Sequence, residues 1–576
     1  MDTLLMAQQL QNITVQAPGF AGINSQDSPV SLDQSFAATA SNCVIDEYGR
    51  IGARKGYREK SSNVSFASNS RGVEAVYESL DASGNKRIFS AVDNKIYEGL
   101  DFSSDITPVG YTPTANNWKI VSFNNHTYFY QRDHEPLIFT DAGGSAVLSK
   151  HSAYAEATPS TFYPQANEVI GRIGRLWAAD VSGNTKTVYW SDTLQGHKWS
   201  GGSAGSLDLT TVFPTGHDEI VALAAHNGFL IIFCKRSIIV YSGAESPATM
   251  QLADTVEGVG CIARDSVQNT GTDIIFLSED GVRSFGRTIQ EKSMPMRDIS
   301  NNVRTELTEL VKAQSNPIKS IYSADEAFYL LSLQDSQTVY CFDMRGQLPD
   351  GSNRVTTWST INPRSMALLQ DGKIYFGRED GIFEYGDYTD NGSTYEMIYY
   401  SNPLSFGNST NLKFLKKFNI TVIGNVASQT TLAWGYDYAD TFNKTVFSTG
   451  KIDTDTSEFN AGQFGDNTTT LIAPSSTGTY LGAFSSAPTT TEVNALYYNT
   501  TDSKLYYWSG LAWVEEDTVD TAYVASKFTG GVDVQRPAIN TNGSGTVVTI
   551  GIEATINGAP YSIQQIDVHA LLGRLI

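Results

Sequence analysis

Apolar and polar residues alternate along most of this chain in short runs. Seven of the runs share one form, an aliphatic and aromatic strand end followed by a polar turn. They read KIYEG at 95–99, LIFTD at 137–141, VYWSD at 188–192, IVYSG at 239–243, VRSFG at 282–286, VYCFD at 339–343 and GIFEYG at 381–386. Their central aromatics, Tyr97, Phe139, Tyr189, Tyr241, Phe285, Tyr340 and Phe383, are separated by 42, 50, 52, 44, 55 and 43 residues. A repeat of roughly 40–50 residues built from strands predicts the blades of a β-propeller.

Each run closes a unit of similar layout. The clearest, EIVALAAHNGFLIIFCKRSIIVYSG at 219–243, reads as three strands with turns at His226-Asn227-Gly228 and Lys235-Arg236. Asp371-Gly372 and Asp380-Gly381 mark the bends of the last unit. Such Asn-Gly and Asp-Gly pairs permit the positive φ angles that tight hairpins demand. A unit this small cannot bury both of its faces alone, so stacking around an axis is the physical solution. The alternative is a set of unrelated hairpins in two sandwiches.

One helix stands out between two blade words. Ser300 is positioned to cap NNVRTELTELVKAQ, in which Val303, Leu307, Leu310 and Val311 share one face. After Gly386 the rhythm changes to longer strands, YEMIYYSNPLSFG, LKKFNITVIGN and TTLAWGYDY, and the chain closes on two more. These predict an antiparallel sheet domain in which the last strands pair with 418–423 and 431–438. The fold class is therefore all-β, a propeller of six or seven blades followed by an antiparallel β platform that carries a small inserted β module. The expected boundaries are an N-terminal arm at 1–60, the propeller at 61–390 with a helix insertion near 298–314, the platform at 391–452 and 526–576, and the inserted module at 453–525.

Composition narrows the function. With 40 basic and 61 acidic residues the 576-residue chain carries a formal charge of −21, too acidic to wrap nucleic acid. Acidic residues around a channel would instead repel a passing phosphate backbone and keep it from sticking. The N-terminus lacks a basic region followed by a long apolar stretch, so no secretory signal is expected. No apolar run is long enough for a membrane span. The four cysteines, Cys43, Cys234, Cys261 and Cys341, lack metal-ligand spacing and read as buried small hydrophobes.

Two clusters are candidate sites. Arg50, Arg54, Lys55 and Arg58 form a basic patch on an acidic chain, either a docking arm or a strand flanked by solvated charges. Tyr507, Trp508 and Trp513 lie in the hairpin ALYYNTTDSKLYYWSGLAWVEED, either a platform for sugar rings or the miniature core of a small module. Catalytic signatures are thin. The segment SDTLQGHKW at 191–199 departs from sialidase-type turns and occurs once, and no Trp-Asp closes the blades. There is no G-x-S-x-G, P-loop or H-E-x-x-H, and the seven histidines are dispersed. No enzymatic activity, metal or cofactor is expected.

The layout GFAGINSQDSPVSLD followed by ASNCVIDEYGRIGARKGY, then blades containing RLWAAD, VYWSD and GTDIIFLSEDGVRSFGR, resembles the tail nozzle proteins of short-tailed bacteriophages, also called tail tubular protein B. The platform strand KFLKKFNITVIG extends the resemblance over most of the chain. It implies a structural virion protein, assembled in the host cytoplasm and located in the virion tail. It also implies a homohexameric tube below the portal and adaptor rings that retains the genome and conducts it during ejection. Expected partners are other copies of the chain, the adaptor ring protein, tail fibres, and genomic DNA passing without specific binding. No family motif assigns single residues to a gate. A receptor- or glycan-binding tail protein is the alternative.

Overall fold

A computed structural model describes residues 10–29, 31–61, 72–80, 84–113, 117–142, 145–154, 162–214, 216–291, 298–407, 410–424, 428–439, 441–449, 480–489, 495–501, 504–515 and 534–575. The strand repeat forms a β-propeller. Six blades have four antiparallel strands, and a three-stranded sheet stands between the fourth of them and the next. The first blade is Val73–Leu80, Lys86–Val92, Lys95–Glu98 and Ser104–Asp105, and the three that follow repeat this order, ending at Gln251–Glu257. The three-stranded fifth sheet runs Gln268–Asn269, Ile274–Ser278 and Gly281–Ser284, after which the helix Phe285–Glu291 takes the place of an outer strand. The sixth blade runs from Lys319–Ser323 to Asn353–Trp358.

All seven of the sequence words lie on the third strand of their blades. That strand is sandwiched in its own sheet and packs on both sides: in the fourth blade Ile239 and Tyr241 enter one apolar cluster and Ile238 and Val240 the neighbouring one. The seventh blade is completed from the other end of the propeller sequence. Tyr57–Glu59 pairs antiparallel with Ile382–Tyr385, through Phe383↔Glu59 and Tyr385↔Tyr57, and so closes the ring.

Residues 10–59 are not a separate arm. Gly22–Ile23 and Phe36–Ser41 join the sixth blade in parallel through Gly22↔Val355 and Thr357↔Ser41, and then continue into Tyr395–Ser401, Val548–Ile556, Ser428–Tyr436 and Asn443–Thr449. One ten-stranded sheet therefore runs from a propeller blade into the C-terminal region. Cys43–Ile45, Ile51–Ala53 and Leu10–Gln16 enter a second, eight-stranded sheet with Asn411–Ile423 and Ser562–Leu575. The expected pairings of the last strands are present, 562–575 with 411–423 and 548–556 with 428–436.

The two sheets share one core. Phe418, Ile420, Ile566 and Val568 of one belong to the same cluster as Leu432, Ile550, Ile552 and Tyr399 of the other, and the cluster extends to Tyr329 and Phe342 of the sixth blade. Val303, Leu307 and Val311 of the helix region enter it too, with Leu310 packed at its edge. The helix itself spans Arg304–Lys312, and Ser300 does not cap it: the Ser300 hydroxyl accepts the Val282 N–H at 2.9 Å instead. Propeller and platform are thus joined by a common sheet and a common core, where the sequence predicted two separate units. Glycines make the joint possible. A Cβ on Gly22 (φ +81°) would stand 2.4 Å from the Val355 carbonyl oxygen, and one on Gly56 would stand 2.0 Å from that of Thr389.

Candidate functional site

The basic patch is neutralised within the fold. Arg54 is fully buried, and its guanidinium donates to both Asp390 carboxylate oxygens at 2.8 and 2.7 Å, to Thr360 Oγ1 at 2.8 Å and to Asn42 Oδ1 at 3.0 Å. The same group lies 4.1 Å over the ring of Tyr395, whose hydroxyl donates to the Arg54 carbonyl. Arg50 pairs with Asp46 at 2.5 Å, and Lys55 pairs with Glu326. Arg58 is 57% exposed and stands 3.6 Å from Glu384 and 3.9 Å from Asp387. A docking arm built on Arg54 is excluded by its burial. The cluster instead pins the segment before the ring-closing strand to the sixth and seventh blades.

The aromatic hairpin splits by strand alternation. Trp508 pairs directly with Trp513, and Tyr497 with Tyr506, which puts these four on one face of a small sheet formed by Tyr480–Phe484, Leu496–Asn499, Lys504–Trp508 and Trp513–Glu515. Tyr507 pairs with Leu496 and Val514 and so points to the opposite face. The three candidates therefore do not form a single platform. Tyr497 is buried between Tyr506, stacked at 5.4 Å, and Trp513, edge-on at 4.6 Å, while Trp513 Nε1 donates to the Pro488 carbonyl. This is a small core, with Trp508 and Trp513 half-buried at its rim.

A dense polar constellation that sequence reasoning missed lies on the propeller axis. Arg264 leaves the short 3-10 turn Arg264–Ser266 ahead of the fifth sheet and reaches inward. Its Nε and Nη2 donate to the two oxygens of Asp265 at 2.8 and 2.7 Å. Nη1 donates to Asn167 Oδ1 at 3.0 Å and Nη2 to Asn117 Oδ1 and the Trp118 carbonyl at 2.7 and 2.9 Å. Lys319 Nζ, on the first residue of the sixth blade, donates to Asp265 Oδ2 at 2.6 Å and Asn117 Oδ1 at 2.7 Å. Lys119 pairs with buried Glu168 at 3.0 Å. Four segments of the ring, 117–119, 167–168, 264–265 and Lys319, thereby meet in one cluster around this guanidinium.

Electrostatics follow from that packing. Burial pushes the Asp265 carboxyl up, but Arg264 and Lys319 outweigh it and hold the group well below the usual carboxylate range. For Glu168 burial wins over Lys119 and Arg264, and its pKa is raised. Burial likewise lowers Lys319 against the pull of Asp265. Above the cluster opens a cavity of about 660 Å³, lined by Asn117, Arg132, Asp180, Glu219, Lys235 and Lys312 among others. Its wall charges are largely paired with one another, Arg132 with Asp180 at 2.8 Å and Lys235 with Glu219. No group of three or more His, Cys, Asp or Glu side chains suited to a metal occurs among the described residues. All four cysteines are buried with free thiols, and burial raises their pKa, Cys261 to about 12.

A signal for the axis was present in the sequence, the lone charged pair Arg264-Asp265 between Cys261-Ile262 and the apolar strand at 274–278. Its partners lie in other blades, so no local spacing reveals them.

No protein-family model and no curated protein matches the chain. Among solved structures it is similar to the extracellular domain of a one-component system from B. thetaiotaomicron, with TM-score 0.39 and 11% identity over 79% of this chain and 51% of that one. The chain thus spans about half the length of that domain. It is also similar to the β-propeller domain of Myceliophteria thermophila Cps50 (Swd1), with TM-score 0.35 and 9% identity over 57% of this chain and 98% of that one. These likenesses concern the fold. Among the described residues no helix is long and apolar enough to cross a membrane.

Proposed function

We propose that this chain is a structural virion protein that forms the tail nozzle of a short-tailed bacteriophage. In this reading it assembles as a homohexameric tube below the portal and adaptor, retains the packaged genome, and conducts DNA into the host during ejection. One observation carries the reading. The N-terminal segments with the nozzle-like layout, 19–33 and 40–57, supply strands that stitch the propeller to the platform, Gly22–Ile23, Cys43–Ile45 and Ile51–Ala53. A closed ring of identical subunits needs a fixed angle between its two unlike interfaces, and a rigid joint inside each subunit supplies it. The charge of −21 suits a lumen along which DNA slides without being held. The adaptor ring protein and tail fibres are the partners this position implies.

The test is assembly. Negative-stain images of the purified chain with its adaptor partner should contain rings or tubes, and antibody labelling should mark the tail of intact particles. Monomers alone under all conditions, or label absent from the tail, overturns the reading. A second reading, receptor or glycan binding, draws on Trp508 and Trp513, which share a partly exposed face. Alanine at both positions, with folding intact and cell binding unchanged, removes its basis.

A further inference from the structure

We propose that Lys319 and Asn117 are a self-modification site, at which the lysine amine displaces the side-chain amide nitrogen of the asparagine and forms an isopeptide bond across the propeller axis. Three observations converge on it. The amine already hydrogen-bonds the amide it would attack, with Lys319 Nζ 2.7 Å from Asn117 Oδ1. The carboxylate Asp265 Oδ2 accepts from the same Nζ at 2.6 Å and fixes the amine beside the amide. Arg264 Nη2 donates to Asn117 Oδ1 at 2.7 Å, which polarises that carbonyl and would hold the charge that develops on its oxygen. Amine, anchoring carboxylate and oxyanion donor thus surround one amide.

The surroundings of Lys319 favour the reaction. Lys119, Arg264 and Lys319 are three cations linked by ion pairs to Glu168 and Asp265. The Lys319 side chain is only 9% exposed. A guanidinium does not deprotonate, and a desolvated lysine beside other cations is an activated nucleophile. Burial and the neighbouring Arg264 and Lys119 all lower its pKa.

The atoms balance without any co-reactant. Lys319 gives one proton to solvent in the axial cavity, and rotation about the last bonds of the lysine carries Nζ from the oxygen lone pair to the face of the same carbonyl. The Nζ–Cγ bond forms while Oδ1 takes the electron pair under the Arg264 donor. The carbonyl re-forms as the Cγ–Nδ2 bond breaks, and the two protons lost by Nζ leave with the departing nitrogen as ammonium. Asn117 lines the open axial cavity, so the product has an exit. The new amide joins the entry to the second blade directly to the first strand of the sixth.

Intact-mass spectrometry of the full chain decides the matter, since the bond removes one ammonia from the sequence mass. Ammonia is also lost when asparagine before glycine cyclises, as at Asn227-Gly228 or Asn391-Gly392, so the digest is mapped as well. The expected result is a mass lower by one ammonia, a branched peptide joining Asn117 to Lys319, and the full sequence mass in Lys319→Arg and Asn117→Ala. A wild-type chain that keeps its full mass after prolonged incubation overturns the proposal, as does ammonia loss without the branched peptide. The wild-type measurement stands alone if a variant fails to fold.

Discussion

Arg54→Ala should be among the most damaging single substitutions in the chain. Removing the guanidinium leaves the Asp390 carboxylate, itself 8% exposed, without its bidentate partner, and strips Asn42 Oδ1 of one of its two donors, the Ser359 N–H remaining. Breaking a buried pair by deleting one member costs about 3–5 kcal/mol, because the remaining charge stays desolvated. Loss of the contact with the Tyr395 ring adds about 0.5–2 kcal/mol. Arg58→Ala is the internal control: its side chain is 57% exposed and its ion pairs are long, so the expected cost is below about 1 kcal/mol. Arg54→Lys should fall between them, since one ammonium cannot reproduce a planar fork on two carboxylate oxygens. Urea unfolding followed by tryptophan fluorescence is a suitable assay. Trp358 reports on this region, as its indole donates to the Cys43 carbonyl at 2.8 Å and stacks on Tyr385 at 5.5 Å. If Arg54→Ala costs no more than Arg58→Ala, or if Asp390→Ala in the Arg54→Ala background restores nothing, the buried pair does not hold the joint as argued.

Two other perturbations test separate parts of the fold. His151 is fully buried between the second and third blades, where its Nε2 donates to the His197 carbonyl at 2.7 Å, its ring lies 4.8 Å from Tyr163, and Glu135 is the nearby opposing charge. Burial pushes its pKa below the ordinary imidazole value, so the unfolded chain takes up the proton first. Stability from this group is present above about pH 6.5 and is lost as pH falls towards the depressed native value, and His151→Gln should flatten that part of a stability profile measured by urea midpoints. Gly22→Ala forces a Cβ onto a positive φ and into the Val355 carbonyl, and should lower the thermal midpoint and soluble yield, whereas alanine at Gly84, where no atom lies within 4 Å of the added carbon, should cost only the backbone strain of its own positive φ.

The parts of the fold that were legible in the sequence are those set by local periodicity. The blade words could be read because the third strand packs on both faces and so concentrates aliphatic and aromatic residues in a short run. The late strands could be paired because they are long and alternate cleanly. What escaped was non-local. Gly22↔Val355 and Gly22↔Phe36 are parallel contacts of a residue or two, with no period to announce them. Arg54 looked like one solvated charge among several because its partner Asp390 lies 336 residues away. The axial cluster escaped for the same reason: Asn117, Glu168, Arg264 and Lys319 each sit at a blade entrance, about one repeat or more apart, and only closure of the ring brings them together. Ser300 was misread because an N-cap residue and a strand-edge acceptor look alike in sequence.

Two pairings tie early segments of the chain to late ones. Leu10–Gln16 finds its place only beside Ser562–Leu575, and Tyr57–Glu59 only beside Ile382–Tyr385. During synthesis the first of these strands must wait for Ser562–Leu575, and the second for the last propeller blade. A chain released before that blade would carry an unclosed ring and an unpaired sheet edge, a template for pairing with other chains. The finished surface thus depends on segments far apart in the sequence finding one another.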